Sequence, residues 1–105
     1  MISETYANNE LLGKTEKWYY DGKFHREDGP ANIAIFPTYS TQEWYYDGKK
    51  HRTDGPAVLS TFNADGKILH QVWYVADIQF NPVTKKPIGR NDAEAIEIVR
   101  MYTTM

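Results

Sequence analysis

Six residues in this sequence have side chains and a spacing that could support chemistry. They form two matching sets, each a histidine, an arginine and an aspartate in the same order: His25, Arg26 and Asp28, then His51, Arg52 and Asp54. Imidazole and carboxylate groups together could hold a metal ion, and the two aspartates could act as an acid–base pair. The two guanidinium groups could form a row of forks for a phosphate or an acidic partner.

A structural interpretation of the same residues is favoured. Each histidine is expected to pack on an aromatic neighbour and to bond a backbone carbonyl. Each arginine is expected to lock a turn by bridging the aspartate two residues on, or the turn carbonyls of the next unit. The identity of the two sets favours this interpretation, because both units must fold in the same way, whereas a functional site usually needs residues that differ between units. We therefore predict no metal ion and no cofactor. The sequence also has no glycine-rich phosphate loop, nucleophile elbow or HExxH motif, so we predict that the protein is not an enzyme.

The two sets belong to an internal repeat. Residues 18–32 read WYYDGKFHREDGPAN and residues 44–58 read WYYDGKKHRTDGPAV, which are identical at twelve of fifteen positions and lie 26 residues apart. A third, decayed copy begins at Trp73 and lacks both the Asp-Gly pair and the HRxDGPA half. Units of this kind are stable only when they stack on a neighbour.

Each unit has the pattern of antiparallel β structure. Trp-Tyr-Tyr favours a strand, and Asp21-Gly22 and Asp47-Gly48 supply the two positive φ angles of a type I′ hairpin turn. Residues 23–26 and 49–52 are predicted to return as strands. The Asp-Gly-Pro triplets that follow are predicted to close the next turn, because Asp accepts backbone hydrogen bonds, Gly tolerates a positive φ and Pro blocks ladder pairing. Turn signals at this spacing favour a meander over βαβ units.

The C-terminal part of the sequence predicts a helix over residues 91–102. Asn91 is the expected N-cap, and Glu94 lies where a capping box would place it. One face of the helix is apolar: Ala95, Ile98, Val99 and Tyr102. We expect this face to cover one side of the sheet.

The predicted fold is mainly β: an open, curved antiparallel meander of hairpin repeats with a C-terminal α-helix packed on it. The 105 residues correspond to one domain by length. Its predicted segments are an N-terminal segment (1–14), repeat 1 (15–40), repeat 2 (41–66), a decayed third repeat (67–82), and a loop with the C-terminal helix (83–105).

The motif WYYDGKxHRxDGPA resembles the MORN-like repeats of bacterial, phage and large-virus proteins, over about residues 15 to 75. The resemblance implies a row of antiparallel β-hairpins in an open, curved sheet that passes into a terminal helix. It also implies a binding scaffold. Some related bacterial proteins are labelled antitoxins, and small phage proteins of this type suggest inhibition of host enzymes or defence systems.

Composition restricts the classes of partner and compartment. The net charge is −2 and there is no cysteine, which argues against a nucleic-acid binder and excludes disulfides and thiolate metal sites. No signal peptide and no apolar stretch long enough to cross a membrane are recognised. We expect a cytoplasmic protein of a bacterial host cell that does not act at a membrane.

Candidate binding residues fall into three groups. The first is a row of tyrosines, Tyr19 and Tyr45, expected to be exposed on the side opposite the tryptophans. The second is the repeated His25, His51, Arg26 and Arg52. The third is a basic loop of Lys85, Lys86 and Arg90. Residues 36–41, 62–70 and 80–90 break the repeat symmetry and are therefore expected to carry specificity.

The predicted function is non-catalytic binding and inhibition of a host or defence protein. Two alternatives stay open at this point: antitoxin-like neutralisation of a partner toxin, and capture of a small anionic ligand such as a signalling nucleotide by the arginines and tyrosines. The edge strands of an open sheet could also pair between two copies of the chain to give a homodimer.

Overall fold

The computed structural model describes residues 2–7 and 13–104. The strands are β1 (Ile2–Ala7), β2 (Lys14–Tyr20), β3 (Lys23–Phe24), β4 (Asn32–Ile35), β5 (Tyr39–Glu43), β6 (Tyr45–Tyr46), β7 (Lys49–Lys50), β8 (Val58–Phe62), β9 (Ile68–Val72), β10 (Tyr74–Val75) and β11 (Ile78–Gln79), and the helix is α1 (Ala93–Thr103). The prediction of a mainly β fold with a C-terminal helix is confirmed. Residues 1–13 have no firm pattern in the sequence, which leaves open a short strand or a frayed segment, and Ile2–Ala7 forms the strand β1.

The long strands form one antiparallel sheet. Its order is β1-β2-β4-β5-β8-β9, and β3 pairs with β2 beyond the end of β4. The sheet is open, because β1 and β9 are its two edges. Two short hairpins, β6–β7 and β10–β11, extend from the ends of β5 and β9. The extended stretches predicted after each Asp-Gly-Pro turn are β4 and β8.

The hairpin turns follow from residues that accept positive φ. Asp21 (φ 53°) and Gly22 (76°) form the first turn, and Asp47 (51°) and Gly48 (79°) form the second, as the type I′ prediction requires. The third copy has no Asp-Gly pair, yet Ala76 takes the same conformation at φ 47° and is followed by Asp77 at 65°. The turn is therefore conserved in shape although its sequence has changed.

The prediction of longer return strands is wrong. β3 and β7 contain two residues each, and the His-Arg pair that follows leaves the strand. The His25 N–H still bonds to the Trp18 carbonyl (3.1 Å), but the Arg26 N–H bonds to the Tyr45 carbonyl of the next unit (3.2 Å). The chain thus turns toward its neighbour, because the backbone groups after the hairpin are used to join successive units.

The buried core lies at the third unit. Val75, Ile78 and Phe80 pack with Ala95 and Val99 of α1, all buried, and Trp73 and Ile98 border this cluster. The helix therefore covers the last hairpin and not a face of the long sheet, which corrects that part of the prediction. Every residue of strands β4, β5, β8 and β9 is at least partly exposed.

The helix begins one residue later than predicted. Asp92, not Asn91, is the N-cap, and its carboxylate accepts a hydrogen bond from the Ala95 N–H at 3.2 Å. Among the described residues, no helix has the length and apolar character needed to span a membrane.

Candidate functional site

The two repeated histidines join each unit to the next one. His25 Nδ1 accepts a hydrogen bond from the Asp47 N–H, and His51 Nδ1 accepts one from the Ala76 N–H, both at 2.9 Å. Asp47 and Ala76 hold equivalent positions in successive hairpin turns. An accepting Nδ1 requires the neutral ring with its proton on Nε2. The predicted bond to a carbonyl is therefore wrong: each ring accepts a hydrogen bond from a backbone N–H and fixes the turn of the next unit.

The histidines are part of an aromatic ladder across the units. His25 lies between Tyr20 (ring centroids 5.6 Å apart) and Tyr46 (4.4 Å). His51 lies between Tyr46 (6.1 Å) and Tyr102 of the helix (4.6 Å). The predicted packing of each histidine on an aromatic neighbour is thus present. Burial lowers the pKa of His51 below 6.5, which favours the neutral ring that the bond to Ala76 needs.

Each repeated arginine is held inside its own unit. The Arg26 guanidinium lies over the Trp18 ring at 4.1 Å and bonds to Asp28 (3.1 Å) and to the Pro30 carbonyl (3.3 Å). Arg52 repeats this arrangement.

The Arg52 guanidinium lies 3.8 Å from the centre of the Trp44 ring and bonds to Asp54 (2.9 Å) and to the Pro56 carbonyl (3.1 Å). The structure thus contains the predicted bridge to the aspartate, together with a cation–π contact that the sequence pattern did not indicate.

The glycines of the Asp-Gly-Pro turns make room for these arginines. Neither Gly29 nor Gly55 has a positive φ, so these turns do not use the tolerance of glycine for that conformation. A Cβ at Gly55 would lie 2.6 Å from the Arg52 Cζ, and one at Gly29 would lie 3.1 Å from the Arg26 Cζ. Glycine thus gives the guanidinium room to approach the turn, and an added Cβ would crowd Arg52 more than Arg26.

A second ladder contains the tyrosines that were predicted to be exposed. Tyr19 stacks on Phe24 (5.0 Å) and Phe24 on Tyr45 (4.9 Å), and both tyrosines are half-buried. The more exposed row lies one residue further along, at Tyr20 (57%) and Tyr46 (50%). Burial, with the nearby Glu43 carboxylate, raises the pKa of Tyr45 to about 12.

The basic loop is largely bound to the helix ends. The Lys85 ammonium donates to the Thr103 carbonyl at 3.1 Å, and the Arg90 guanidinium forms a fork on Asp92 at 3.0 and 2.9 Å. Hydrogen bonds from Arg90 and the Ala95 N–H lower the pKa of Asp92 to about 2. Lys86 is exposed. Lys85 and Arg90 thus make contacts that hold the ends of the helix, and Lys86 makes none of these contacts.

The repeated residues do not assemble a metal site in this geometry. Within residues 2–7 and 13–104, no group of three or more histidines and acidic residues is placed to hold a metal ion. Both Nδ1 atoms accept backbone hydrogen bonds, and both aspartates bind their own arginine. A groove of about 510 Å³ lies between the two arginine turns, bordered by Arg26, Arg52, Trp44 and Tyr46.

An aromatic cluster lies at the far ends of the long strands, away from the repeated histidines and arginines. We call Phe36, Tyr39 and Phe62 the tip cluster. The Phe36 and Tyr39 rings stack at 4.7 Å, and Tyr39 lies opposite Phe62 in the ladder of β5 and β8. Tyr39 is 38% exposed and Phe62 is 43% exposed.

Asn63 holds the tip cluster in place. Its side-chain NH₂ group donates to the Phe36 carbonyl (2.6 Å), and its backbone N–H donates to the Thr38 carbonyl (3.0 Å). Its side-chain oxygen accepts a hydrogen bond from the Ser40 hydroxyl (2.5 Å). Two loops that are distant in sequence are thereby tied together. The sequence marked both segments as breaks in the repeat symmetry, but it did not identify these aromatic residues. The signal that could have identified them is the presence of aromatic residues in segments that break the repeat symmetry.

Comparison of the chain with protein family models, with curated proteins and with solved structures finds no match.

Proposed function

We propose that this chain is a non-catalytic protein-binding module built from MORN-like repeats. We further propose that it is a small phage or bacterial protein that binds and inhibits a host or defence protein in the bacterial cytoplasm. The observation that carries the proposal is the tip cluster: three aromatic residues, partly exposed, fixed by hydrogen bonds and remote from the buried core. Rigid aromatic side chains are the residues that most often dominate protein interfaces.

The contacts of the repeated residues differ from those of the tip cluster, and this difference supports the proposal. The repeated histidines and arginines are engaged in joining or locking the units. The tip cluster does not join units in this way, and none of its residues belongs to the cluster of buried residues beneath α1. Exposed aromatic residues that a fold does not require are the expected mark of a docking surface.

Capture of a partner from bacterial lysate tests the proposal. We expect the tagged chain to retain a stoichiometric protein, and the double variant Tyr39→Ala, Phe62→Ala to lose it. Truncation of central aromatic residues costs about 2 kcal/mol or more each when they anchor an interface. The matched control is Val83→Ala, because Val83 is an apolar residue that is 86% exposed and lies outside the tip cluster.

Two outcomes would contradict the proposal: recovery of no stoichiometric protein, or equal recovery by the double variant with its circular dichroism unchanged. A captured toxin encoded next to this chain would favour the antitoxin-like alternative, which uses the same surface.

A small anionic ligand is the second candidate, and the groove between Arg26 and Arg52 favours it. Its volume of about 510 Å³ lies within the usual range for ligand sites. Both guanidinium groups already bond to aspartate and proline oxygens, so a ligand would compete with these contacts. A nucleotide present at 100 times its dissociation constant should add about 2.7 kcal/mol to the free energy of unfolding. The absence of a thermal shift across a nucleotide panel would remove this candidate.

A further inference from the structure

The outer edge of β9 lacks a strand that the same geometry supplies in the first two units. There, β2 contains Trp18 and β5 leads into Trp44. These strands are paired by β4 and β8, which follow the Asp-Gly-Pro turns. The Trp18 N–H bonds to the Ala31 carbonyl, and the Trp44 N–H to the Ala57 carbonyl, both at 2.7 Å. After Trp73 the chain forms the β10–β11 hairpin and then continues into a loop and α1. Within the described part of the chain, the Trp73 N–H has no hydrogen-bond acceptor.

Gln71 provides the second half of this open edge. In repeat 2, the residue two positions before the tryptophan is Gln42, which lies opposite Leu59. Because Trp44 is hydrogen-bonded to the same strand, alternation makes Gln42 and Leu59 the next hydrogen-bonded pair. Gln71 holds the equivalent position before Trp73.

The backbone of Gln71 points away from β8. In the ladder of β8 and β9, Gln71 lies opposite Leu59, between the pairs Ser60–His70 and Val58–Val72. Leu59 directs its N–H and C=O to Gln42 on β5, so the neighbouring pairs are the hydrogen-bonded ones and Gln71 directs its N–H and C=O to the other side. The side chain of Gln71 is exposed. The free N–H and C=O of Gln71 and the free N–H of Trp73 thus repeat the groups that β5 offers to β8.

This edge has no acidic, lysine or arginine side chain, and an irregularity interrupts it at one end only. Residues 68–72 contain no Lys, Arg, Asp, Glu or Pro, the residues that usually guard an exposed edge. A register shift opposite Ser60 and Thr61 leaves Leu69 without a cross-strand partner. This irregularity blunts one end of β9 and leaves the end at Gln71 and Trp73 regular.

We propose that the β9 edge at Gln71 and Trp73 accepts an extended, antiparallel strand of a protein partner. The strands that fill the equivalent edges define its chemistry: a small residue opposite the tryptophan and an aliphatic residue two positions later, as in Ala31 with Ile33 and Ala57 with Leu59. Strand addition to a sheet edge is a common mode of peptide recognition. This inference rests on the proposed protein-binding function and names how the partner engages.

A peptide taken from this chain is the natural probe. The peptide GPAVLSTF has the sequence of residues 55–62, the strand that fills the equivalent edge of β5. Titration of this peptide into the isotopically labelled full chain is expected to give saturable amide shifts at residues 71–73. It should also slow hydrogen exchange at the Gln71 and Trp73 amides.

Two changes test the backbone origin of this binding. Gln71→Pro removes an N–H that makes no bond within the sheet, and proline is tolerated at such edge positions, so we expect at least a tenfold loss of peptide affinity with the fold intact. Gln71→Val retains the N–H and should bind as the natural chain does. A peptide N-methylated at the leucine amide should fail against the unaltered chain, which keeps the test independent of how the proline variant folds.

Four results would overturn the inference: no shifts at residues 71–73, shifts confined to the tip cluster, equal binding by Gln71→Pro, or equal binding by the methylated peptide. Protection of these amides in the free chain that increases with its own concentration would assign the edge to a second copy, and would also overturn it. A partner captured through the tip cluster while the peptide fails would leave the proposed function standing and remove this inference alone.

Discussion

Replacement of His51 by phenylalanine tests the bond that joins repeat 2 to the third unit. The change keeps an aromatic ring beside Tyr46 and Tyr102 but removes the Nδ1 acceptor of the Ala76 N–H. A donor left without its partner costs about 1–3 kcal/mol when it is shielded from water. Phenylalanine fits a position of this kind, since Phe80 occupies the equivalent place in the third unit.

The expected loss is large against the total stability of a chain of this size, which is of the order of 5–15 kcal/mol. Urea unfolding followed by tryptophan fluorescence should give a lower midpoint with an unchanged slope. Each 1 kcal/mol should lower the melting temperature by roughly 4–8 °C. The control is His70→Phe, because His70 is exposed and its replacement should change the free energy by less than about 0.5 kcal/mol. Equal stability of His51→Phe and the natural chain would refute this account of how the units are joined.

Three further predictions concern pH and close packing. Burial lowers the pKa of His51 below 6.5, so the unfolded chain binds the proton more readily. The free energy of unfolding should therefore fall as pH drops through 6.5, and His51→Phe should weaken that fall in urea titrations at several pH values. Gly55→Ala should destabilise the fold more than Gly29→Ala in thermal unfolding, because the added Cβ lies closer to its arginine. The Asp92 carboxyl should titrate at about pH 2 by carbon NMR, and Arg90→Gln should raise that pKa.

The parts of the fold that depend on local sequence could be predicted. The Asp21-Gly22 and Asp47-Gly48 turns need only two residues that accept positive φ, and these rules hold within a few residues of the chain. The apolar spacing of the C-terminal helix is likewise local. The identity of the N-cap was missed by one residue, because Arg90 binds Asp92 in the fold and this pairing is invisible to a capping pattern.

The contacts between units could not be predicted from the pattern alone. The acceptor role of His25 depends on where the Asp47 turn comes to lie, 22 residues along the chain. The sequence does contain a signal for the position of the helix. Val75 and Phe80 replace the Tyr46 and His51 of repeat 2 at equivalent positions, and these apolar residues lie beneath α1.

Repetition itself limits where a specific partner can bind. A position that fixes one unit to the next must keep its residue type in every unit that has a neighbour, as His25 and His51 do. Freedom to vary is left where the repetition ends, at the strand tips and at the last edge. The two places lie toward opposite ends of one strand pair: the Phe62 N–H of the tip cluster bonds to the Lys67 carbonyl just before β9 (2.9 Å), and Gln71 and Trp73 lie at the other end of β9. A partner strand on β9 would thus run alongside the sheet that carries the tip cluster, so one partner could use both surfaces at once.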